Sequence, residues 1–368
     1  MTILDAAVKR TVLYDQHQKL GARLIPFGGF QMPVQYSGIL KEHNAVRERA
    51  GLFDLSHMGQ FILEGEDVAA WADTLTVNAI STIKPFAARY NVFCNEVGGA
   101  LDDVIFYRLP ERWLLVVNAS NADKMWKHLN SHLGSFDVKI ANLHGKNALI
   151  AIQGPKSVEM LSRIVDADLA VMKYYSCTET TVLNQPAVVA RTGYTGEDGF
   201  ELFVDSGCAS EIWQRLLTEN GAAGLEPAGL GARDVLRLEA GMPLYGHELT
   251  EDITPMQAGL VWAIKFSKPE FIGKKALQQQ KESDSYRRIV GLIVTGRAPA
   301  REGYRVLYQG GPTGEIRSGS LGPSVGNRNI ATALLEKEAA VPGQRVEVEI
   351  RGTLHEAEIV ALPFYKRS

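Results

Sequence analysis

A glycine-rich segment in the middle of the chain is the feature that most constrains its fold. Residues 191–202 read RTGYTGEDGFEL and follow an apolar run at residues 187–190, with three glycines within seven positions. Glycine adopts positive φ at no steric cost and lets another group approach the backbone closely. The pattern predicts a strand, a glycine turn and a second strand. Tyr194 and Glu201 flank this turn, so they either face one cavity or belong to a solvated surface hairpin.

Composition and charge exclude several classes of function. The 368 residues are 45% hydrophobic and 22% charged, which is typical of a globular protein. The formal net charge is -3, so the sequence gives no indication of the basic surface that a nucleic-acid partner requires. No apolar run reaches about 18 residues, so no membrane partner is expected.

Cysteine and histidine usage predicts a reduced compartment and no metal site. Cys94, Cys177 and Cys208 are odd in number and far apart, which suits neither a disulfide framework nor a zinc site. His128 and His132 lie one helical turn apart, but the residues between them lack the glutamate of a zinc-protease motif. The first 19 residues are polar and mixed, without the apolar core of a signal peptide, so the expected location is cytoplasmic.

The pattern of elements divides the chain into a mixed region and an all-β region. Up to about residue 280, strands joined by hairpins alternate irregularly with helices, which favours an α+β fold with antiparallel sheets. Short apolar segments separated by glycine and proline then predict a β-barrel or sandwich. The expected domains are residues 1–280 and 281–368, with the charged segment 280–288 as a linker. Helices are expected at residues 4–20, 39–50, 67–75, 121–133, 156–165 and 210–219, and in a segment that ends near residue 238.

A pair of adjacent carboxylates is the first candidate for chemistry. Asp102 and Asp103 follow the turn at Gly98-Gly99 and open an apolar strand. Side chains alternate along a strand, so one carboxylate points inward and the other outward. A carboxylate in a partly apolar cleft can exchange a proton near neutral pH. The spacing does not choose the inward residue, and a solvated pair of turn acids is the alternative interpretation.

An arginine near the start of a predicted helix is the second candidate. Residues 229–239 read GLGARDVLRLE, in which Arg233 and Arg237 are four positions apart. The preceding glycines favour a helix N-terminus that faces a ligand. The alternative is an intrahelical salt-bridge surface, since acidic residues lie nearby.

Five stretches of the sequence are distinctive when taken together and in order. They are 51–60 (GLFDLSHMGQ), 95–103 (NEVGGALDD), 191–202 (RTGYTGEDGFEL), 227–239 (PAGLGARDVLRLE) and 314–320 (GEIRSGS). Together they resemble the T-protein of the glycine cleavage system, a family of tetrahydrofolate-dependent aminomethyltransferases. The resemblance extends from about residue 13 to residue 365.

The resemblance implies both an architecture and a reaction. The implied fold has two ferredoxin-like subdomains and a C-terminal β-barrel around a central folate cavity, which agrees with the α+β and all-β regions predicted above. In the implied reaction, the aminomethyl carbon on the dihydrolipoyl arm of the H-protein passes to tetrahydrofolate. The products are 5,10-methylenetetrahydrofolate, ammonia and the reduced H-protein.

The resemblance also assigns residues to the co-substrate. The carboxylate of Glu201 suits the adjacent N–H donors of a pterin edge, and the guanidinium of Arg233 suits its carbonyl oxygen. Tyr90 and Tyr194 suit stacking on the flat ring. The residues implied to bind tetrahydrofolate are Tyr90, Asn118, Tyr194, Glu201, Arg233, Trp262 and Tyr365, the last with neighbouring Phe364 as its alternative.

Two further roles follow from the resemblance. It selects Asp103 from the aspartate pair as the catalytic residue, beside the folate nitrogens, where it would orient N10 and help to manage its proton. Arg301 matches a position near the docking site of the H-protein. No metal is implied.

Two alternatives share the same fold. One is a folate-dependent demethylase of a small methylated donor, and the other is a non-catalytic folate-binding accessory protein. The sequence SHMG at residues 56–59 and the intact GEDGFEL at residues 196–202 favour the glycine-cleavage branch over the demethylase. The accessory group is expected to carry a cysteine motif of the type Lys-Gly-Cys-Tyr-x-Gly-Gln, which is absent from this sequence.

Overall fold

The computed structural model of the chain describes residues 8–296 and 298–367, which form two compact units. Of these residues, unit 1 contains those up to Glu66, Ile83–Arg89 and Ile105–Arg233. Unit 2 contains Asp67–Thr82, Tyr90–Val104 and those from Asp234 onward. Both units are therefore discontinuous in sequence. The predicted domain boundary at residue 281 remains a prediction.

The described residues contain helices and strands throughout. The α-helices are α1 (Tyr14–Lys19), α2 (Ile39–Glu48), α3 (Val68–Leu75), α4 (Ala122–Ser131), α5 (Ser157–Leu161), α6 (Ser206–Asn220), α7 (Leu230–Glu239) and α8 (Lys274–Ser283). The first ten strands are β1 (Lys9–Arg10), β2 (Arg23–Phe27), β3 (Phe30–Gln35), β4 (Ala50–Asp54), β5 (Gly59–Glu64), β6 (Ala88–Cys94), β7 (Ala100–Arg108), β8 (Trp113–Val117), β9 (Lys139–Asn142) and β10 (Asn147–Gln153). The remaining strands are β11 (Cys177–Val182), β12 (Gln185–Ala190), β13 (Gly199–Asp205), β14 (Leu225–Pro227), β15 (Arg288–Val294), β16 (Arg305–Tyr308), β17 (Gly311–Gly322), β18 (Arg328–Leu335), β19 (Arg345–Ile350) and β20 (Thr353–Val360). Within this described part of the chain, no helix has both the length and the apolar composition that a bilayer crossing requires.

A six-stranded sheet in unit 1 has the strand order β11-β12-β13-β10-β4-β14. Neighbouring strands are antiparallel except β14, which runs parallel to β4. Helix α6 packs on β10 and β13, and the core of this layer includes the fully buried Leu52, Ile150, Phe200 and Trp213. Strands β4, β10 and β13 are buried along nearly their whole length, because both faces of the sheet are covered.

The glycine-rich segment forms the predicted hairpin, which joins β12 to β13 as an antiparallel pair. Two of its glycines lie against the buried side chain of Gln153. A Cβ on Gly193 would lie 2.0 Å from Oε1 of Gln153, and a Cβ on Gly199 would lie 2.4 Å from Nε2 of the same amide. Gly196 instead adopts a positive φ of 80°, which L side chains avoid. The turn therefore uses glycine for both of the reasons that its sequence suggested.

Two smaller sheets lie in the mixed region. One has five strands in the order β6-β7-β8-β5-β9, and the other has three strands in the order β1-β3-β2. In unit 1, β8 pairs antiparallel with β5 and with the end of β7. The aspartate pair lies near the beginning of β7, directly after the Gly98-Gly99 turn.

The all-β region forms a closed six-stranded barrel in unit 2, with the order β15-β18-β17-β16-β19-β20. Closure leaves no strand edge exposed for pairing with another chain. The buried core of the barrel includes Leu292, Val306, Ile316, Val348 and Ile359. The predicted α+β class and the predicted barrel are thus confirmed, while the ferredoxin-like character and the central folate cavity remain predictions.

The N-terminal helix is shorter than predicted. The expected helix spanned residues 4–20, but α1 covers only Tyr14–Lys19, and residues 4–7 lie outside the described residues. Lys9–Arg10 pair with β3 instead, and the hydroxyl of Thr11 donates a hydrogen bond of 2.6 Å to Asp54. These tertiary contacts override the helical spacing of the sequence.

The predicted linker is also shorter than expected. Helix α8 continues to Ser283, so its last turn occupies the first part of the segment 280–288. Asp284 then leaves the helix in the left-handed conformation, with φ of 48°. Its carboxylate is held by Arg288 at 2.6 Å and by Lys337 at 2.8 Å. The connection to β15 therefore consists of residues 284–287 only.

Candidate functional site

The carboxylate of Glu201 lies in unit 1, on β13, and its residue is only 8% exposed. The hydroxyl of Tyr107 donates to its Oε2 at 2.9 Å, and the hydroxyl of Thr192 donates to the same oxygen at 2.5 Å. Among the described residues, none donates to Oε1. One carboxylate oxygen is therefore fixed by the protein, while the other can accept hydrogen bonds from a ligand.

Tyr107 and Thr192 are site residues that the sequence patterns did not identify. Burial, followed by the neighbouring Glu201 carboxylate, raises the pKa of Tyr107 well above its ordinary value. The phenol therefore stays protonated and acts as a hydrogen-bond donor. Thr192 lies within the glycine-rich motif, so its position in the sequence could have identified it. Tyr107 is 94 positions away from Glu201, in an apolar strand with no distinguishing pattern.

Arg233 and Tyr194 form a stacked pair in unit 1. The guanidinium carbon of Arg233 lies 4.6 Å from the ring centroid of Tyr194, within the range of a cation–π interaction. Arg233 is in the first turn of α7, and its backbone N–H donates to the carbonyl oxygen of Gly229 at 3.1 Å. The structure therefore brings together two of the residues that the sequence assigned to the pterin.

His57 is a further buried polar group in unit 1, to which the sequence patterns assigned no role. Its residue is 2% exposed, and Nδ1 has no hydrogen-bond partner among the described residues. Burial lowers the pKa of His57 to about 4, and the nearby positive charge of Arg233 contributes in the same direction. The ring is therefore neutral at pH 7.

The aspartate pair obeys the predicted alternation. Asp102 is fully buried, whereas Asp103 is half-buried on the opposite side of β7. In unit 2, the hydroxyl of Tyr90 donates to Oδ2 of Asp103 at 3.1 Å. The ring of Tyr90 lies 5.9 Å from that of Trp262, centroid to centroid, and Trp262 is 60% exposed. The structure thus groups three of the predicted residues, Tyr90, Asp103 and Trp262, the last of which presents an accessible indole.

The turn before the aspartate pair is fixed by side-chain and backbone contacts within unit 2. Oδ1 of Asn95 accepts hydrogen bonds from the backbone N–H groups of Val97 and Gly99, and its Nδ2 donates to the carbonyl of Glu251. A Cβ on Gly99 would lie 1.7 Å from that carbonyl oxygen. This packing explains the Asn-x-x-Gly-Gly spacing and sets where β7 begins.

The other predicted residues occupy three separate places. Asn118 follows β8 in unit 1, and its carbonyl accepts the backbone N–H of Asn121. In unit 2, the backbone N–H of Tyr365 donates to the carbonyl of Glu239 at 2.8 Å, at the end of α7. Arg301 is exposed beside the barrel, with Nη1 3.5 Å from the carbonyl oxygen of Gly319. Their roles in binding remain predictions.

Neither a metal-binding cluster nor a disulfide occurs among the described residues. Within residues 8–296 and 298–367, no three His, Cys, Asp or Glu side chains form a cluster that could hold a metal ion. All three cysteines of the chain, Cys94, Cys177 and Cys208, are free thiols.

Comparisons with known proteins match nearly the whole chain. The family model described as the GCVT N-terminal domain matches residues 13–268, and the glycine cleavage T-protein C-terminal barrel domain matches residues 287–366. A protein named aminomethyltransferase from Desulfitobacterium hafniense (strain DSM 10664 / DCB-2) is 45% identical over 98% of this chain and 99% of its own length. A protein of the same name from Bacillus subtilis (strain 168) is 43% identical over 98% of this chain and 100% of its own length.

A solved structure is similar over the same extent. The crystal structure of the glycine cleavage system aminomethyltransferase T from Bartonella henselae has a TM-score of 0.92 and 34% sequence identity to this chain. The match covers 98% of this chain and 99% of that one.

Proposed function

Because the chain belongs to the glycine cleavage T-protein family of aminomethyltransferases, we propose that it transfers the aminomethyl carbon from the dihydrolipoyl arm of the H-protein to tetrahydrofolate. The products are 5,10-methylenetetrahydrofolate, ammonia and the reduced H-protein. Full-length relatives that share the aminomethyltransferase name favour this reaction over the demethylase and over the non-catalytic accessory protein. The three free thiols accord with a cytoplasmic location.

The observation that carries the proposal is the carboxylate of Glu201, in which one oxygen accepts two hydrogen bonds from the protein and the other accepts none from the described residues. Its Oε2 is fixed by two hydroxyl groups, so its Oε1 is oriented before a ligand arrives. A carboxylate held in this way accepts N–H donors from the edge of a pterin without having to reorganise. Arg233, stacked on Tyr194, offers planar donors suited to the carbonyl oxygen of the same ring.

We assign the proton-handling role to Asp103. Tetrahydrofolate supplies the nucleophilic nitrogens, and the protein supplies placement and a charged, partly dry environment. The hydrogen bond from Tyr90 restricts the rotation of the Asp103 carboxylate. Held beside N10, this carboxylate would orient that nitrogen and accept or return its proton.

The proposal also assigns roles to the remaining predicted residues. Trp262 is exposed and lies beside Tyr90, which suits a wall that the folate or the lipoyl arm contacts. Asn118 and Tyr365 are assigned to the folate, and Arg301, exposed beside the barrel, is assigned to the docking of the H-protein.

The test is a reconstituted reaction with a matched variant. The purified protein is incubated with tetrahydrofolate and aminomethylated H-protein, and both ammonia and methylenetetrahydrofolate are measured. Asp103→Asn should fold and bind tetrahydrofolate normally, yet lose about 10²-fold in turnover, the usual contribution of proton transfer. The control, Asp252→Asn, removes an exposed carboxylate from the same unit and should keep wild-type turnover.

Two results would contradict the proposal. Absence of methylenetetrahydrofolate with the wild-type protein would exclude the reaction itself. Wild-type turnover by Asp103→Asn would instead remove Asp103 from the mechanism and leave the reaction standing.

A further inference from the structure

A fully buried carboxylate on α2 connects two distant parts of unit 1. Glu42 is 0% exposed, and within the described part of the chain its hydrogen-bond donors are three backbone N–H groups. Its Oε1 accepts from Tyr36 at 2.6 Å and from Gly38 at 3.0 Å, and its Oε2 accepts from Gly229 at 2.9 Å. A charge this deeply buried persists only when it is well paired or hydrogen-bonded.

The donor at Gly229 is the one that relates Glu42 to the site. Gly229 directly precedes α7, and its carbonyl accepts the backbone N–H of Arg233 at 3.1 Å. The first N–H groups of a helix have no partner within the helix, and they carry the positive end of its dipole. The carboxylate of Glu42 satisfies one of these groups and places a negative charge at that end.

The first turn of α7 has little freedom to move around this bond. A Cβ on Gly229 would lie 2.5 Å from the backbone carbonyl carbon and oxygen of Val34. A Cβ on Gly231 would lie 2.6 Å from the Cδ1 atom of Ile39. The helix therefore begins in direct contact with β3 and α2, at a position set by the carboxylate.

We propose that Glu42 is a positioning residue for Arg233. By holding the N–H of Gly229, it fixes the first turn of α7 and thereby the guanidinium that stacks on Tyr194. This inference rests on the proposed function, in which Arg233 binds the pterin carbonyl. Glu42 itself does not contact the co-substrate in this assignment, so it acts only through Arg233.

The first experiment measures the helix start without any ligand. In Glu42→Gln the side chain keeps its size, but an amide N–H₂ must face one of the three backbone donors. Native-state hydrogen exchange of the Gly229 and Arg233 amides should then be about tenfold faster or more, since a hydrogen bond to a charged group is lost. The control Asp205→Asn removes the charge from the carboxylate that accepts the Gly207 N–H at the start of α6. It should leave the exchange of the Gly229 and Arg233 amides unchanged.

The second experiment is a double-mutant cycle with Arg233→Ala, read by calorimetric titration with tetrahydrofolate. Glu42→Gln should weaken binding about tenfold in the wild-type background and by less than about twofold in the Arg233→Ala background. Its effect on the denaturation midpoint should be equal in both backgrounds. A purely structural role would give the same loss of affinity in both.

The outcomes separate the two hypotheses. Unchanged exchange in Glu42→Gln, or additive losses of affinity, would overturn the positioning role. Wild-type affinity in Arg233→Ala would instead refute the assignment of Arg233 to the pterin, while faster exchange would still support the tie to α7. If Glu42→Gln does not fold, Glu42→Asp keeps the charge, shortens the reach by one methylene and takes its place in both experiments.

Discussion

Among the described residues, hydrogen-bond donors reach one carboxylate oxygen of Glu201, and this arrangement has a physical cost. Both hydroxyl donors, from Tyr107 and Thr192, converge on Oε2. A buried carboxylate with an unused oxygen loses hydration without full compensation. Under the proposed function, the N–H donors of the pterin would complete the set.

The first prediction tests that arrangement. Glu201→Ala should weaken tetrahydrofolate binding by about 1–3 kcal/mol, because the donors of the pterin would lose a charged acceptor. Isothermal titration calorimetry measures the change. Glu211→Ala, which removes an exposed carboxylate on α6, should bind as the wild type does. Equal affinity in all three proteins would rule out a contact between Glu201 and the ligand.

The second prediction concerns His57 and the pH dependence of stability. Its folded pKa of about 4 lies below the ordinary value of 6.5, so the unfolded state binds more protons between these two values. Stability should therefore fall on acidification through this window, with a slope of up to about 1.4 kcal/mol per pH unit from this residue. His57→Gln should reduce that slope.

Urea denaturation from pH 8 to pH 5 measures this effect. Above about pH 7.5 both states are neutral at His57, so the difference in stability between wild type and His57→Gln should stay constant there. If the stability curves of wild type and His57→Gln ran parallel from pH 8 to pH 5, burial would not lower the pKa of His57 in the folded protein.

Single residues also show how far sequence reasoning reaches. The opposite orientation of Asp102 and Asp103 followed from strand periodicity alone, which is a local steric property. The hydrogen bond from Tyr107 to Glu201 could not be predicted in this way, because it joins residues 94 positions apart on strands of different sheets. No pattern near Tyr107 distinguishes its hydroxyl from that of any other tyrosine.

Among the elements, the turn into β7 depends on a glycine with no side-chain space. Gly99 packs so closely on Glu251 that a Cβ would lie 1.7 Å from its carbonyl oxygen. Because the obstacle is backbone, it cannot rotate away. The turn therefore fixes the residue at which β7 begins, and with it the position of Asp103 along the strand.

The third prediction follows from this contact. Gly99→Ala should lower the free energy of unfolding by about 1–3 kcal/mol, as overpacking does, and should also reduce turnover because β7 shifts. Gly311→Ala is the matched control, since its Cβ would meet only Tyr308, at 3.8 Å. Chemical denaturation measures both. A Gly99→Ala protein as stable as Gly311→Ala would mean that the turn can relax.

At the scale of the element, the sequence predicted that residues 191–202 form a hairpin but not why each glycine is needed. Positive φ at Gly196 is a local requirement, which turn statistics capture. The contact between Gln153 and two other glycines comes from a strand elsewhere in the chain. Element type was therefore accessible from local pattern, whereas the packing constraint was not.

On the scale of the molecule, a buried ion pair ties α7 to the barrel within unit 2. Nη1 of Arg237 lies 2.9 Å from Oε2 of Glu248, and both side chains are at most 3% exposed. Arg237 also donates to Ser318 on β17, and the hydroxyl of Thr332 on β18 donates to Glu248. Burial by itself would raise the pKa of the Glu248 carboxyl. The positive charge of Arg237 keeps this pKa below its ordinary value.

The fourth prediction is that Glu248→Gln destabilises the protein by about 3 kcal/mol, because it removes the buried partner of Arg237. The guanidinium then keeps the half-exposed carboxylate of Asp234, at 2.8 Å, as an ionic partner. The control pair is Arg345 with Glu356, whose side chains are 78% and 67% exposed. Glu356→Gln should cost less than about 1 kcal/mol. Denaturation at pH 7 compares the two, and similar costs would show that the inner pair is not desolvated as described.

Acidification should produce the same loss in the wild type. Since the folded pKa of Glu248 is depressed, its contribution is present above its unfolded pKa and disappears as the pH falls through the folded value. Glu248→Gln should lack this part of the acid transition.

The sequence by itself determined the classes of element, the order of a mixed region before an all-β region, the hairpin at residues 191–202 and the alternation of the aspartates. These properties depend on the sterics of a few adjacent residues and on the period of apolar positions. Only the tertiary structure decided which oxygen of Glu201 is occupied, why His57 is neutral and that Glu42 holds the start of α7. Those features depend on burial and on hydrogen bonds between distant segments, such as the 187 positions from Glu42 to Gly229, and no local pattern encodes them.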